Sequence, residues 1–273
     1  MVAKLSDDEV IVVHGIRVRA ATKICSWCGK SFKCAKIPRL SRKWCSHHCK
    51  VNLRHRLSEG EDITNLINPT TPGAAYILGL IWADGTIKDG AIRLEIVKED
   101  LLDIKNLFLG CGNWAYYERS RPNRKPVASM NIKSWSLFDF LSSHGYLLKK
   151  GNVPCTIIDV IPEHLKKFWY LGYWDGDGNF YFNKKTKAFQ VAASGPYEAD
   201  WHFLQKMFER LNVSTNIARV IVPNGNRYSC LRATNKNAFK QLGTFFYSGQ
   251  ALLLGFKRKY HKFMEGLALI TNR

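Results

Sequence analysis

Apolar and polar residues follow two different periods between Ala74 and Leu267. Apolar residues three or four positions apart predict amphipathic helices, and alternation of apolar and polar residues predicts half-buried strands. On this basis the segment is predicted to form helix, hairpin, helix, hairpin, helix, and then the same order again. An order that repeats within one chain indicates an internal duplication with pseudo-two-fold symmetry.

The predicted elements can be placed on the chain. Those of the first repeat are a helix opening at Ala74, a turn at 88–90 followed by the strand Ile92–Val97, a helix over about Glu99–Leu109, a hairpin over about Trp114–Ile132 and a helix over about Ser134–His144. Those of the second repeat are a helix over about Glu163–Asp177, strands at Asn179–Phe182 and Ala188–Ala193, a helix over about Tyr197–Leu211, strands over about Asn216–Val222 and Arg227–Ala233, and helices over about Lys236–Phe246 and Gly255–Leu267. The two opening helices therefore occupy matching places.

The opening helices end in two similar nine-residue segments, Ile77–Gly85 (ILGLIWADG) and Tyr170–Gly178 (YLGYWDGDG). Both segments carry small residues, Gly or Ala, at their third and seventh positions. These positions share one helix face because four residues make about one turn. Small residues let a second backbone approach closely, so the two helices are predicted to pack against each other along these faces.

Each segment also ends in an aspartate followed by a glycine, with the aspartates at Asp84 and Asp177. A carboxylate in the last turn meets the negative end of the helix dipole, which costs a few tenths to about 1 kcal/mol. A local rule that is broken twice at matched positions indicates a functional site. Side-by-side packing would bring both carboxylates to one end, where Mg²⁺ could relieve their repulsion and activate water at a phosphate. The alternative is a buried helix pair whose aspartates are incidental.

The charge of the chain makes nucleic acid the first candidate partner. Its 273 residues include 41 Lys or Arg and 22 Asp or Glu, a formal net charge of +19, and 46% hydrophobic residues are enough for a core. The longest apolar run, 74–83, has ten residues where a membrane span needs about 20, and residues 7–9 are acidic where a signal peptide is basic. We therefore expect a soluble intracellular protein with no membrane partner and with reduced cysteines.

The two nine-residue segments and their spacing resemble the motif of LAGLIDADG homing endonucleases in their single-chain, two-motif form. The resemblance covers about residues 74–267. It implies an α+β fold of tandem pseudo-symmetric αββαββα repeats, with two saddle-shaped antiparallel sheets in the DNA major groove. It also implies that Asp84 and Asp177 hold catalytic Mg²⁺. Trp82 stands where the motif usually has an aspartate that is not a metal ligand, and the second copy keeps Asp175.

The activity implied by this resemblance is site-specific cleavage of both strands of double-stranded DNA by a monomer, in the homing of introns or other mobile elements. The family also has a basic residue near each scissile phosphate, after the last helix of each repeat. Lys150 fits this place in the first repeat and Lys259 in the second. Lys98, at the end of a predicted strand, is a further catalytic candidate for positioning water. For each lysine the alternative is a solvated surface charge.

Polar residues on the predicted strands and turns are candidates for DNA contact, because a sheet in the major groove presents the side chains of one face to base edges. Arginine, asparagine and glutamine can pair with guanine or adenine, and lysines in turns suit phosphate. A target that engages both repeats spans about 20 base pairs. The candidates are Arg93, Arg119, Arg121, Arg124, Lys125, Asn183, Lys184, Lys185, Lys187, Gln190, Arg219, Asn224, Asn226, Arg227 and Arg232.

Four cysteines before the first repeat form two close pairs, Cys25-x2-Cys28 and Cys45-x3-Cys49. This spacing is typical of a tetrahedral structural Zn²⁺ site, and the segment is similar to treble-clef or zinc-ribbon fingers. His48 could replace the last cysteine as a ligand. The alternative is a loop with reduced cysteines, which we consider less favourable because so small a basic segment has few other means of folding.

The chain is thus predicted to contain a zinc-finger-like DNA-binding segment (1–58), a linker (59–73) and two LAGLIDADG-like halves (74–160 and 161–273). A basic helix over Lys50–Arg56 would touch DNA beside the main site, since the first segment is strongly basic. Two other functions stay open on the same scaffold. One is an RNA-binding maturase that assists intron splicing, and the other is a cleavage-inactive DNA-binding regulator, although a regulator has no need of both aspartates.

Overall fold

The computed structural model describes residues 10–13, 16–25, 30–35, 45, 63–88, 90–120, 125–148 and 155–271. The chain divides into two compact units, Met1–Glu59 and Gly60–Arg273. Within the described ranges, no helix combines the length and the apolar character that crossing a bilayer requires. The predicted basic helix over Lys50–Arg56 lies outside the described residues.

In the N-terminal unit, the described residues form an antiparallel sheet of strands β1 (Val10–Val13), β2 (Ile16–Ile24) and β3 (Ser31–Ala35), in that order. The β2–β3 pairing sets Ile24 opposite Ser31. Just beyond that pair, the backbone N–H of Cys25 donates to the Lys30 carbonyl at 2.9 Å. This hydrogen bond joins the two described residues on either side of positions 26–29, which lie outside the described residues.

The C-terminal unit contains the predicted repeats in an α+β arrangement. After α1 (Thr64–Ile67), the first half comprises α2 (Pro72–Asp84), β4 (Gly85–Lys88), β5 (Ala91–Val97), α3 (Lys98–Ile104) with a 3₁₀ turn (Lys105–Phe108), β6 (Ala115–Arg119), β7 (Val127–Lys133), α4 (Trp135–Ser143) and a 3₁₀ turn (Tyr146–Leu148). The second half comprises α5 (Ile157–Val160), α6 (Glu163–Asp177), β8 (Gly178–Asn183), β9 (Ala188–Pro196), α7 (His202–Arg210), β10 (Asn216–Ile221), β11 (Arg227–Ala233), α8 (Lys236–Phe246), a 3₁₀ turn (Gly249–Leu253) and α9 (Lys257–Thr271). The predicted tandem αββαββα fold is confirmed.

The described strands of this unit form two four-stranded antiparallel sheets of the same topology. Their strand orders are β4-β5-β7-β6 and β8-β9-β11-β10. In each sheet one edge strand, β4 or β8, begins directly after an aspartate-bearing helix. Its first residue is a glycine: Gly85 pairs with Leu94 in the first sheet, and Gly178 pairs with Ala193 in the second. Alternate residues of the central strands are buried under the helices, so the opposite face of each sheet is turned to solvent.

The two halves meet along α2 and α6, which pack backbone to backbone. A Cβ at Gly79 would overlap the carbonyl oxygen of Trp169, and a Cβ at Gly172 would overlap that of Tyr76. The relation is reciprocal, as a local two-fold axis requires. The predicted packing of these helices through their small residues is therefore confirmed, and only glycine fits at the two points of closest approach.

The described part of the segment predicted as a linker over 59–73 packs into the core of the C-terminal unit. Leu66 is fully buried and Ile63 is nearly so. The side chain of Asn65 donates to the Gly110 carbonyl at 2.8 Å. The sequence analysis did not identify these two buried apolar residues because the segment 59–73 is mostly polar. They lie within or next to the single helical turn of α1.

A second contact joins the halves at the start of α9. The Arg258 guanidinium binds the buried carboxylate of Asp100, with its Nε 2.9 and 2.8 Å from the two oxygens. Lys257 lies 2.8 Å from Asp103 on the same helix α3. A buried carboxylate is stable only when it is paired, so this contact holds the last helix of the second half against the first half.

We expect Gly79→Ala and Gly172→Ala to lower the free energy of unfolding by about 3 kcal/mol, at the upper end of overpacking costs, because backbone atoms cannot move aside. Urea denaturation followed by circular dichroism measures this change. Gly73→Ala, at the start of α2, is the matched control, since its Cβ would make only ordinary contact with Leu107 at 3.6 Å. Equal effects of the three substitutions would contradict the close approach.

Candidate active site

The aspartate-bearing ends of α2 and α6 open into one cavity of about 310 Å³. Asp84 is exposed and Asp177 is half-buried, and both line this cavity. A Cβ at Gly176, the neighbour of Asp177, would lie only 3.2 Å from the Asp84 carboxylate. The glycine therefore leaves room for the Asp84 carboxylate next to the end of α6, and the structure brings the two predicted aspartates together.

Two tyrosines lie close to this carboxylate pair. Burial raises the pKa of Tyr173 well above its ordinary value, and the charges of Asp177 and Asp84 and a hydrogen bond to Asp177 raise it further. Burial also raises the pKa of Tyr146, and both aspartates add to that effect. Each phenol therefore stays protonated at neutral pH and available as a hydrogen-bond donor.

Tyr146 lies behind the end of α2 and binds its last carbonyl groups. Its Oη lies 2.9 Å from the carbonyl oxygen of Ile81 and also contacts that of Gly85. The Ile81 carbonyl also accepts the backbone N–H of Gly85, which closes the helix, so the phenol adds a buried side-chain donor at the point where α2 ends. The end of α2 that carries Asp84 is fixed by this contact.

Lys259 has the corresponding place behind the end of α6. Its Nζ donates to the carbonyl oxygens of Trp174 at 2.8 Å and of Asp175 and Gly178 at 2.6 Å each. The side chain is buried, and it does not line the cavity. Burial lowers the pKa of Lys259 to about 8, against the opposing charge of Asp175. Cations near a helix C-terminus are favourable, so Lys259 stabilises the end that carries Asp177.

Asp175, which stands where the first half has Trp82, is a buried carboxylate behind the site. Its Oδ2 accepts hydrogen bonds from Tyr76 Oη and from the backbone N–H of Phe256, both at 2.8 Å. Burial raises its pKa to about 6, and the charge of Lys259 and the two donors oppose this rise. The departure noted in the sequence at Trp82 thus replaces a buried charge with an aromatic ring.

The cavity suits a hard divalent cation. Mg²⁺ keeps several waters and usually takes one or two protein carboxylates together with phosphate oxygens, and Asp84 and Asp177 supply that number. Among the described residues, no group of three or more His, Cys, Asp or Glu side chains is arranged to enclose a metal ion. The donor set therefore fits a cation shared with a phosphate substrate better than a closed structural site.

Of the other two predicted catalytic lysines, the structure describes only Lys98. Lys98 Nζ binds the exposed Glu118 carboxylate at 2.8 Å, and this lysine does not line the cavity. Lys150 lies outside the described residues. Sequence reasoning missed Tyr173, which lines the cavity, and Tyr146, because neither stands in a spacing that marks a site.

Two of the DNA-contact candidates of the first half share the solvent face of its sheet. The strand register sets Arg93 opposite Asn131, and Val127 opposite Arg119 four residue pairs further along. Glu95, between them on the same face, binds Arg93 and lies 3.5 Å from Arg119. The carboxylate therefore holds two arginines on one surface. Lys125 is exposed, and Arg121 and Arg124 lie outside the described residues.

The second sheet divides its candidates between two faces. Gln190 and Arg232 lie on the solvent face of the sheet. By the strand register, Arg219 and Arg227 lie at the intervening positions and point to the opposite face. The hairpin turns are exposed and polar. The Asn183 side chain accepts from two backbone N–H groups in the first turn, and the Asn224 side chain from one in the second. The DNA-contact candidates that are exposed in these turns are Lys184, Lys185, Lys187, Asn224 and Asn226.

Half of the predicted zinc ligands can be located. Cys25 is buried and Cys45 is half-buried, and the backbone N–H of Cys45 donates to the Cys25 Sγ at 3.4 Å. The structure therefore brings one cysteine of each pair together, as a shared site requires. Cys28 and Cys49 lie outside the described residues, as does His48.

No protein-family model and no curated protein matches this chain. Solved structures resemble it in three dimensions. The homing endonuclease I-WcaI bound to its DNA recognition sequence has 17% identity and a TM-score of 0.49, over 74% of this chain and 92% of that one. I-DmoI in complex with DNA and Ca has 13% identity and a TM-score of 0.44, over 67% of this chain and 92% of that one. The LAGLIDADG homing endonuclease I-GzeII in complex with its DNA target has 13% identity and a TM-score of 0.42, over 72% of this chain and 88% of that one. At such low identities and TM-scores, the fold rests on the helices and strands of this chain itself.

We expect Tyr76→Phe to lower the free energy of unfolding by about 1–3 kcal/mol, because it removes a donor from the buried Asp175 carboxylate. Urea denaturation at neutral pH measures the loss. Tyr117→Phe, on an exposed position of β6, removes the same hydroxyl where water can replace it. Comparable losses in the two variants would show that the buried hydrogen bond has no special weight.

Proposed function

We propose that this protein is a site-specific DNA endonuclease of the LAGLIDADG type, which hydrolyses one phosphodiester on each strand of double-stranded DNA. The observation that carries the proposal is the convergence of Asp84 and Asp177 on one cavity, at the matched ends of two helices packed through glycine. Two carboxylates at one point are unfavourable without a cation, and a chain of net charge +19 suits a phosphate substrate. We further propose that the protein acts as a monomer, since one chain supplies both halves.

The solvent faces of the two sheets are the proposed DNA surface. Arg93 and Arg119 on the first sheet, and Gln190 and Arg232 on the second, are side chains suited to pairing with base edges in the major groove. The turn lysines suit phosphate contacts, which position the duplex without reading it. Because both edge strands begin at the aspartates, DNA that follows the two faces passes over the cavity.

The proposed chemistry takes place in that cavity. Asp84 and Asp177 would hold Mg²⁺, which when bound supplies Lewis acidity at the phosphate and lowers the pKa of bound water. The protonated phenol of Tyr173 donates to Asp177 and keeps that carboxylate oriented. Lys259 and Tyr146 act from behind the helix ends, so neither contacts the reacting phosphate. The roles of Lys98 and Lys150 in positioning water or phosphate stay proposals.

We also propose that Cys25, Cys28, Cys45 and Cys49 hold a structural Zn²⁺ in the N-terminal unit. The hydrogen bond between Cys45 and Cys25 supports this proposal, because it joins the two cysteine pairs. The unit would contact DNA flanking the main site through its basic residues, since phosphate contacts need only positive charge. Removal of the metal would then weaken DNA binding without changing the chemistry at Asp84 and Asp177.

Cleavage is tested with a supercoiled plasmid library that carries genomic insertion sites of the host. We expect the protein to linearise a specific member of the library in Mg²⁺ and not in excess chelator. Asp84→Asn and Asp177→Asn should each abolish linearisation, because an amide cannot replace an anionic ligand. Gel electrophoresis followed by sequencing of the cut ends measures activity and identifies the site.

Asp159→Asn, at an exposed position of α5, is the matched control and should cut normally. Tight DNA binding with no cleavage in any divalent ion would contradict the nuclease and favour a regulator. Selective binding of intron RNA, with no cut DNA, would favour a maturase. The same library serves all three outcomes, because bound and cleaved plasmids are recovered separately.

The DNA surface is tested by the salt dependence of binding. We expect the double substitution of Lys184 and Lys185 by Gln to reduce the slope of log K against log salt by about 0.9 for each phosphate that the variant no longer neutralises. Fluorescence anisotropy with a labelled duplex at several salt concentrations measures the slope. The matched control replaces Lys206 and Lys240, which are exposed on the helices behind the second sheet. An equal slope change in both double variants would place the DNA elsewhere.

A further inference from the structure

Two different side chains perform the same task at the two aspartate-bearing helix ends. Tyr146 binds the carbonyl oxygens of the residue three positions before Asp84 and of the glycine after it. Lys259 binds the carbonyl oxygens at the same two positions relative to Asp177, and also that of Asp175. The two donors are therefore matched in three dimensions, although nothing in the local sequence relates them.

The chemistry of the two donors differs. A phenol has a single proton, which the two carbonyl groups of the α2 end must share. An ammonium has three protons, and Lys259 lies within 2.6–2.8 Å of three carbonyl oxygens of the α6 end. Each donor is buried, so water does not replace it. Loss of either donor would remove buried side-chain hydrogen bonds that hold the helix end carrying one aspartate.

The residue two positions before each cavity aspartate, Trp82 or Asp175, is chemically suited to the donor at its helix end. Trp82 packs edge-on against the ring of Tyr146, with centroids 5.4 Å apart. Asp175, at the equivalent position, is a buried carboxylate whose charge attracts Lys259. One half thus pairs an aromatic ring with a phenol, and the other pairs a carboxylate with an ammonium. Both pairs are neutral as a whole, so they differ in hydrogen bonding more than in net charge.

From this arrangement we infer that Tyr146 and Lys259 are positioning residues, each of which sets the cation affinity of its own half by holding one aspartate, Tyr146 for Asp84 and Lys259 for Asp177. The inference rests on the proposed function, because it assumes that the two aspartates bind a cation. Neither donor lines the cavity, and each makes its hydrogen bonds to the helix end that carries its own aspartate. Substitutions of partners behind a metal ligand commonly lower metal affinity 10- to 100-fold.

The test uses Tb³⁺ alone as an oxygen-seeking probe ion and the full-length protein without DNA. Trp82 lines the cavity beside Asp84, so excitation of tryptophan should sensitise the luminescence of a bound ion. We expect Lys259→Met and Tyr146→Phe each to raise the Kd for Tb³⁺ about tenfold or more. Lys262→Met, at an exposed position of the same helix, should leave it unchanged.

Double substitutions separate positioning from a general loss of structure. Lys259→Met should add no further loss to Asp177→Asn but its full effect to Asp84→Asn. Tyr146→Phe should behave in the opposite way, adding nothing to Asp84→Asn. A merely structural role predicts equal effects on both aspartate variants, and that result would overturn the inference. Circular dichroism checks the fold, and if Lys259→Met does not fold, the Tyr146→Phe series alone decides the question.

The failure of the proposed function would look different. In that case Asp84→Asn and Asp177→Asn would themselves leave the Tb³⁺ titration unchanged, and both the proposed cation site and the inference would be overturned. If instead the aspartate variants weaken binding while Lys259→Met and Tyr146→Phe do not, the cation site stands and only the positioning roles are wrong.

Discussion

The close approach of α2 and α6 is the contact on which the rest of the site depends. Gly79 and Gly172 let each backbone touch a carbonyl group of the other helix, and this distance cannot be restored with any larger residue. Because the contact is reciprocal, the helices run through it to equivalent ends. The two aspartates and the first strands of both sheets therefore lie side by side, although they come from distant parts of the chain.

Bringing two helix C-termini together concentrates two carboxylates and the negative ends of two helix dipoles at one place, which opposes folding. The structure offsets this cost with donors from behind: Tyr146 at one end and Lys259 at the other. Their burial means that they hold the ends in place without occupying the cavity. Asp84 and Asp177 line the cavity itself, where a cation and a phosphate can reach their carboxylates.

Much of this could be predicted from the sequence, because it depends on periodicity and on local chemistry. Helical and alternating spacing predicted the tandem order of elements, and the small residues and terminal aspartates predicted the helix pair and its acidic end. The donors could not be predicted in this way, since Tyr146 comes from a short 3₁₀ turn with no repeating pattern. The face of the second sheet on which each candidate lies could not be predicted either. Arg219 and Arg232 are the same residue type, and only the strand register distinguishes their faces.

The comparison of the two halves shows which constraints admit one solution and which admit two. Where backbones touch, both halves use glycine, because any Cβ would overlap the partner helix. Where a helix end needs a donor, one half uses a phenol packed on Trp82 and the other an ammonium beside Asp175. Each member of these pairs suits its own partner: a buried ammonium without a carboxylate, or a buried carboxylate without a cation, would be strongly destabilising. The difference at Trp82 is therefore half of a matched exchange, and it leaves the two aspartates held by different chemistry at one site.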